Sequence, residues 1–154
     1  MDIFSHALWG GGFFGYRGHF WLAIFFGAFP DLVSFGLFVI FRIIDGTFVF
    51  GPPPLASIPS WVFFSYNFTH SFITAFTIIV IIGLWKKNIA YAMLGWPFHI
   101  CLDFPFHSIQ YFPTKLFWPF SDFAINGIPW NNLWIWFPNL AGIFVLFIWR
   151  GKKN

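Results

Sequence analysis

Apolar residues run through this chain in long blocks, and the polar positions fall mostly between them. Residues 3–16 form the first block, IFSHALWGGGFFGY. It is too short to cross a bilayer core of about 30 Å as a helix. The second block, 19–44, is long enough, and Pro30-Asp31 interrupts it. Blocks at 61–84, 89–108 and 131–149 follow, each near the length a spanning helix needs. The stretches 45–60, rich in Gly, Pro and Ser, and 109–130, rich in Pro and aromatics, read as loops. This pattern predicts an all-α integral membrane helical bundle of about five apolar segments, forming a single domain over 1–154. The first segment is short, and a re-entrant path fits it as well as a crossing.

Composition and charge sharpen that picture. Only 8% of the residues are charged, against about 25% in a soluble domain. With the N-terminus outside, Arg17, Lys86, Lys87, Arg150, Lys152 and Lys153 all fall on one side, and Arg42 and Lys115 on the other. The positive-inside rule makes the first side, and the C-terminus with it, cytoplasmic. A formal charge of +3 concentrated at block ends gives no case for a nucleic-acid partner. The lone Cys101 excludes an intrachain disulfide. No basic stretch precedes the first block, so the sequence predicts that it is retained rather than cleaved.

Against this background a few ionisable residues stand out. In GWPFHICLDFPFHS, residues 95–108, His99, Asp103 and His107 recur every four positions, which places them on one face of a helix. Ionisable groups at membrane depth are costly and mark functional sites. Asp2 can cap the first block, and His6 follows it by one turn. Pro30-Asp31 puts a carboxylate at a helix break, a recurrent way to build a buried ion site. Thr69-His70-Ser71 lies inside the third long block. At about 1.5 Å per residue, all these groups can meet at one level in the outer half of the membrane. Each also has a plainer explanation: Asp2 and Asp31 as helix caps, His70 as a cross-helix hydrogen bond, His107 as a loop residue beyond Pro105. Their shared depth favours a common site. Imidazole and carboxylate ligands suit zinc, with manganese or iron as alternatives. Six or seven such groups fit two metals, or one with a rich outer sphere.

Four short motifs, in order, resemble a known family. Asp2 to Gly10 (DIFSHALWG), Pro30-Asp31, Thr69-His70-Ser71 and His99-x-x-x-Asp103 are similar to those of the bacterial inner-membrane proteins called membrane-bound metal-dependent hydrolases. The ligand pattern is also remotely similar to that of zinc-dependent phospholipases C. The resemblance covers about the first 110 residues, and more weakly the stretch from Phe112-Pro113 to Asp122. Two departures stand out. Many members read Pro-Asp-x-Asp where this chain has Pro30-Asp31-Leu32-Val33, and many carry His-Arg shortly before Thr-His-Ser, where it has Ser65-Tyr66.

The resemblance implies a metal-dependent hydrolase of the inner membrane acting on a lipid-phase phosphoester. Its partner would be a membrane lipid or a lipid-linked substrate. His70, His99 and Asp103 would hold the metal, with Asp31 and His6 as further ligands. Asp31 or Asp2 would serve as general base, His107 could protonate a leaving group, and Lys115 could attract a phosphate. The alternative is a non-catalytic membrane protein with a structural or transport-related metal site. The sequence carries no signal for an oligomeric state.

Overall fold

Apolar blocks with almost no internal charge fold as helices, which satisfy their backbone groups internally. The computed structural model describes residues 1–152, so Lys153 of the expected cytoplasmic cluster lies outside the described residues. The helices are α1 (Ile3–Phe14), α2 (Phe20–Asp31), α3 (Leu37–Ile44), α4 (Ser60–Thr69), α5 (Phe72–Gly83), α6 (Lys87–Met93), α7 (Gly95–Asp103) and α8 (Leu133–Gly151). The protein is all-helical. Two helical runs are long and apolar enough to cross a membrane, Phe20–Ile44 with 25 residues and Leu133–Gly151 with 19. The pair α4–α5 makes a third if it counts as one span, because it bends by 57° at its junction. The remaining segments of the expected bundle are shorter: α1 has 12 residues, and the block at 89–108 is divided into α6 and α7 at Leu94.

The interruption expected at Pro30 is not a break. The chain passes it as one helical run, widened by a single π-turn over Leu32–Gly36 that joins α2 to α3. The Pro30 carbonyl, at the start of the widened turn, accepts the Ser34 hydroxyl at 2.8 Å and the Thr69 hydroxyl at 3.3 Å, so side-chain donors satisfy it where the backbone ladder shifts register. The break falls instead at Thr69-His70-Ser71. There α4 ends and Ser71 caps α5, its hydroxyl accepting from the Ile73 N–H at 3.1 Å. The freed backbone groups find partners outside the helices. The Trp96 indole donates to the Thr69 carbonyl at 2.6 Å, and the Phe72 N–H donates to Leu116 O at 2.9 Å. The Ser71 hydroxyl donates to Trp118 O at 2.7 Å. Irregular backbone is tolerated here because it is buried in protein and its polar groups are paired.

Glycines set how closely the central helices approach. Gly10 of α1, Gly27 of α2 and Gly95 of α7 meet at one crossing point. A Cβ on Gly10 would lie 2.5 Å from the Ala23 carbonyl, and one on Gly95 would lie 3.0 Å from the same oxygen. Gly27 faces the His6 carbonyl just as tightly. Such contacts bring the His6, Asp31 and His99 backbones together, which is the use of small residues in apolar helix packing. The last helix is tied on by a polar chain. Asn139 Nδ2 donates to Ser5 Oγ at 2.7 Å, Trp9 Nε1 donates to Asn139 Oδ1 at 2.7 Å, and Ser5 Oγ donates to Asp2 at 2.7 Å. Apolar clusters flank the centre: Phe38, Ile58, Val62, Tyr66 and Phe112 on one side, and Ala75, Trp96, Ile100 and Leu116 on the other.

Gly27→Ala is expected to lower stability by about 1–3 kcal/mol, because the His6 backbone cannot yield to a methyl group. Gly83→Ala is the control, since its Cβ meets only Ala90 Cβ at 3.4 Å, an ordinary contact. Thermal unfolding in detergent, followed by tryptophan fluorescence, compares the two.

Candidate metal centre

Three segments converge on one buried point. α2 brings Asp31, the α4–α5 break brings His70, and α7 brings His99 with Asp103 one turn later. One ligand atom from each of these four residues lies within 4.8 Å of all the others. His70 Nε2 and His99 Nε2 are 3.1 Å apart. Asp103 Oδ2 lies 3.2 Å from His99 Nε2 and 3.5 Å from His70 Nε2. Asp31 Oδ1 stands slightly further off, at 3.7 and 3.8 Å from the same two nitrogens. His107 also reaches the group, with Nε2 at 3.4 Å from Asp103 Oδ2.

The other nitrogen of each of these three rings settles its tautomer. His99 Nδ1 lies 2.7 Å from Gly27 O, His70 Nδ1 3.0 Å from Tyr66 O, and His107 Nδ1 3.0 Å from Phe112 O. A carbonyl only accepts, so each Nδ1 carries the proton and donates it. In the neutral ring Nε2 is then a lone pair, the form that binds metal, oriented by its hydrogen-bonded partner. All three Nε2 atoms face Asp103 Oδ2, a fully buried carboxylate oxygen that makes no hydrogen bond within the protein. Acceptors packed around an acceptor repel one another. A cation at their centre removes the conflict, so the donor set fits a divalent metal.

The remaining predicted residues take other positions. His6 does not join the group of four. Its Nε2 lies 2.8 Å from Asp103 Oδ1 and its ring stacks on His99 at 3.6 Å. It thus orients a ligand from behind, and the Met1 amino group lies on the same Oδ1. Asp2 caps α1: its carboxylate accepts the Ser5 N–H at 2.9 Å and the Ser5 hydroxyl at 2.7 Å, so both its oxygens are engaged away from the four. Lys115 is paired with Asp122 at 2.7 Å. Pro105 does end the α7 face, in a short 3-10 turn, and His107 follows in extended backbone. The chain nevertheless returns His107 to the group through a strap. Gly127 N–H donates to His107 O at 2.8 Å and Ile128 N–H to Pro105 O at 3.0 Å. A Cβ on Gly127 would collide with both carbonyls.

Sequence reasoning passed over Tyr66, Phe112 and Asn139. The Tyr66 ring stacks on His70 at 3.8 Å, and its hydroxyl lies 3.1 Å from His107 Nδ1, Phe112 O and Thr114 Oγ1 alike. Phe112 has φ 53°, a left-handed conformation rare for a bulky residue, and its carbonyl serves both Tyr66 and His107. Asn139 was findable as an uncharged polar residue inside an apolar span. Access is limited to one edge. The His70, His99 and Asp103 side chains are wholly buried, whereas Asp31 is 16% and His107 15% exposed.

No protein-family model, curated protein or solved structure matches this chain, so the geometry alone carries the chemistry.

Protein loaded with Zn²⁺ or Co²⁺ and then desalted is expected to retain about one ion per chain. The double variant His99→Ala/Asp103→Ala should retain none. His6→Ala should still bind, with affinity reduced by about 10–100-fold, as befits a group behind a ligand. Elemental analysis and the cobalt absorption spectrum read all three outcomes.

Proposed function

We propose that this protein is a membrane-bound, metal-dependent hydrolase acting on a lipid-phase phosphoester. The observation that carries the reading is the trio of imidazole Nε2 atoms around the buried Asp103 oxygen, open to solvent where Asp31 and His107 stand. His70, His99 and Asp103 would hold the metal, and Asp31 lies where it can either complete the shell or act on a bound water. The likeness of the motifs at Asp2–Gly10, Pro30-Asp31, Thr69-His70-Ser71 and His99–Asp103 to membrane-bound metal-dependent hydrolases points the same way.

A bound divalent ion supplies Lewis acidity toward a water and a phosphoryl oxygen. Asp31, the carboxylate at the open edge, takes the proton of the attacking water. His107 faces the same edge and gives a proton to the leaving oxygen when its Nε2 carries one. One proton is taken and one returned. His6 keeps Asp103 aimed at the centre. Two carboxylates, Asp31 and Asp103, balance one divalent ion. A second would leave two uncompensated positive charges in an apolar interior, at a cost of several kcal/mol, so the site favours a single metal, and zinc suits its nitrogen-rich donor set.

The substrate class follows from the surroundings. The loop that carries His107 is apolar on its outside, with Ile109 54%, Phe120 82%, Phe123 51% and Ile128 55% exposed. Such a surface suits contact with acyl chains rather than water. In this reading the shorter helices complete a five-segment bundle in the bacterial inner membrane, with the C-terminus cytoplasmic and the metal centre in the outer half.

The test is a panel of lipid phosphoesters incubated with metal-loaded protein in mixed micelles, with and without chelator. Chelator-sensitive release of phosphate or headgroup is expected. Asp31→Asn should retain the metal while turnover falls by about 10²–10⁴-fold. Full metal occupancy with no hydrolysis of any phosphoester would leave the structural or transport-related site as the better reading.

A further inference from the structure

The end of the molecule remote from the metal centre collects cations from three distant parts of the chain. Tyr16 and Arg17 follow α1, Tyr91 lies in α6, and Arg150 lies near the end of α8. The Arg17 guanidinium sits 4.0 Å from the Tyr91 ring centroid, and that of Arg150 4.7 Å from the Tyr16 ring. The two phenol hydroxyls bond each other, and Arg150 Nη1 donates to Gly12 O at 2.6 Å. Next to this cluster lies a cleft of about 500 Å³ between His19 and the α5–α6 turn, lined also by Trp85, Lys86, Lys87 and Asn88. Along α1, Tyr16 lies about 15 Å from His6 at the helical rise, so this cleft is separate from the metal centre.

Among the described residues no side-chain carboxylate pairs with these cations. Among the described residues the ion pairs of side-chain carboxylates involve only Asp31, Asp103 and Asp122, none of them with Arg17, Lys86, Lys87 or Arg150. Asp2 caps α1 on Ser5, and Asp45 closes α3 in a turn. Lys86 and Lys87 are exposed and make no side-chain hydrogen bond among the described residues. Two exposed ammonium groups, Lys86 and Lys87, lining a cleft with His19 and Asn88 select an anion with several acceptor oxygens, for which a phosphate is the best match.

The cleft wall says which phosphate. Leu84 and Trp85, immediately before the two lysines, are each 72% exposed. An exposed apolar pair beside an exposed basic pair fits an amphiphile at the membrane surface, with the ring at headgroup level and the ammonium groups in the headgroup layer. We propose that this cleft binds an anionic phospholipid, its headgroup phosphate on Lys86, Lys87 and Asn88 and its acyl chains along Leu84 and Trp85. The inference is independent of the hydrolase reading and of any metal.

The full chain in a neutral detergent is titrated with phosphatidylglycerol, with phosphatidylcholine and with inorganic phosphate, and thermal unfolding is followed. Phosphatidylglycerol is expected to raise the melting temperature saturably at low salt, and the other two to leave it unchanged. Lys86→Ala/Lys87→Ala should melt like the wild type without lipid and weaken the phosphatidylglycerol titration by about 25-fold, or about fivefold per basic residue. Lys115→Ala, at the far end and already paired with Asp122, should titrate like the wild type. Equal shifts from the two lipids, a double variant indistinguishable from wild type, or a full shift from inorganic phosphate alone would each overturn the proposal.

Discussion

A carboxylate oxygen buried without a donor is the constraint on which the rest of this structure turns. Asp103 Oδ2 is sealed from solvent, and its neighbours at 3.2–3.5 Å are three imidazole Nε2 atoms. Leaving such a group unsatisfied costs on the order of the interactions that hold a small protein together. The chain nonetheless aims α7 and its own helix break at that point. It also closes the back of the site with His6 on the other oxygen. The arrangement is one that a divalent cation at its centre would satisfy.

Much of this was legible in the sequence because the rare event was easy to see. In a chain with 8% charged residues, each buried Asp or His is a departure from the background. The four-residue spacing of His99, Asp103 and His107 placed two of the three correctly on one helix. Asp31, His70 and His99 came together because they share a depth, which a rise per residue measures without any knowledge of tertiary contacts. The helical class followed from the same blocks. Five full spans did not follow, because block length on the page does not show where a helix bends. The 61–84 block turns by 57°, and the 89–108 block divides at Leu94.

The misplaced break shows why. Proline is the strongest local signal for an interruption, and Pro30 carries one. The helix nevertheless continues through a π-turn, in which hydroxyls from Ser34 and Thr69, one of them in a different helix, satisfy the Pro30 carbonyl. At His70 no local residue demanded a break. The chain breaks there because Trp96, Leu116 and Trp118 supply the partners that a broken backbone needs. Both outcomes depend on residues distant in sequence. Local propensity sets what a break costs, and tertiary partners decide where that cost is met. His107 follows the same rule. Pro105 ends its helix as expected, yet Gly127 and Phe112 return it to the group from loops that no periodicity describes.

The backbone carbonyls join fold and site most directly. His99 is held by Gly27 of α2, His70 by Tyr66 of α4, and His107 by Phe112 of the loop beyond α7. Each anchor lies on a segment whose position is set by packing: the glycine crossing for Gly27, the aromatic cluster of Phe38, Val62 and Phe112 for the other two. The protonated nitrogen of each ring therefore reports the placement of a separate element, and the free nitrogen inherits that placement. Three elements must be in register before three lone pairs can converge on one oxygen. An error in any of them would turn a ring or change its tautomer, and the donor set would no longer close. The centre is thus a property of the packed fold rather than of the motif His99-x-x-x-Asp103, which supplies two of the four candidate ligand residues and none of the anchors that aim them.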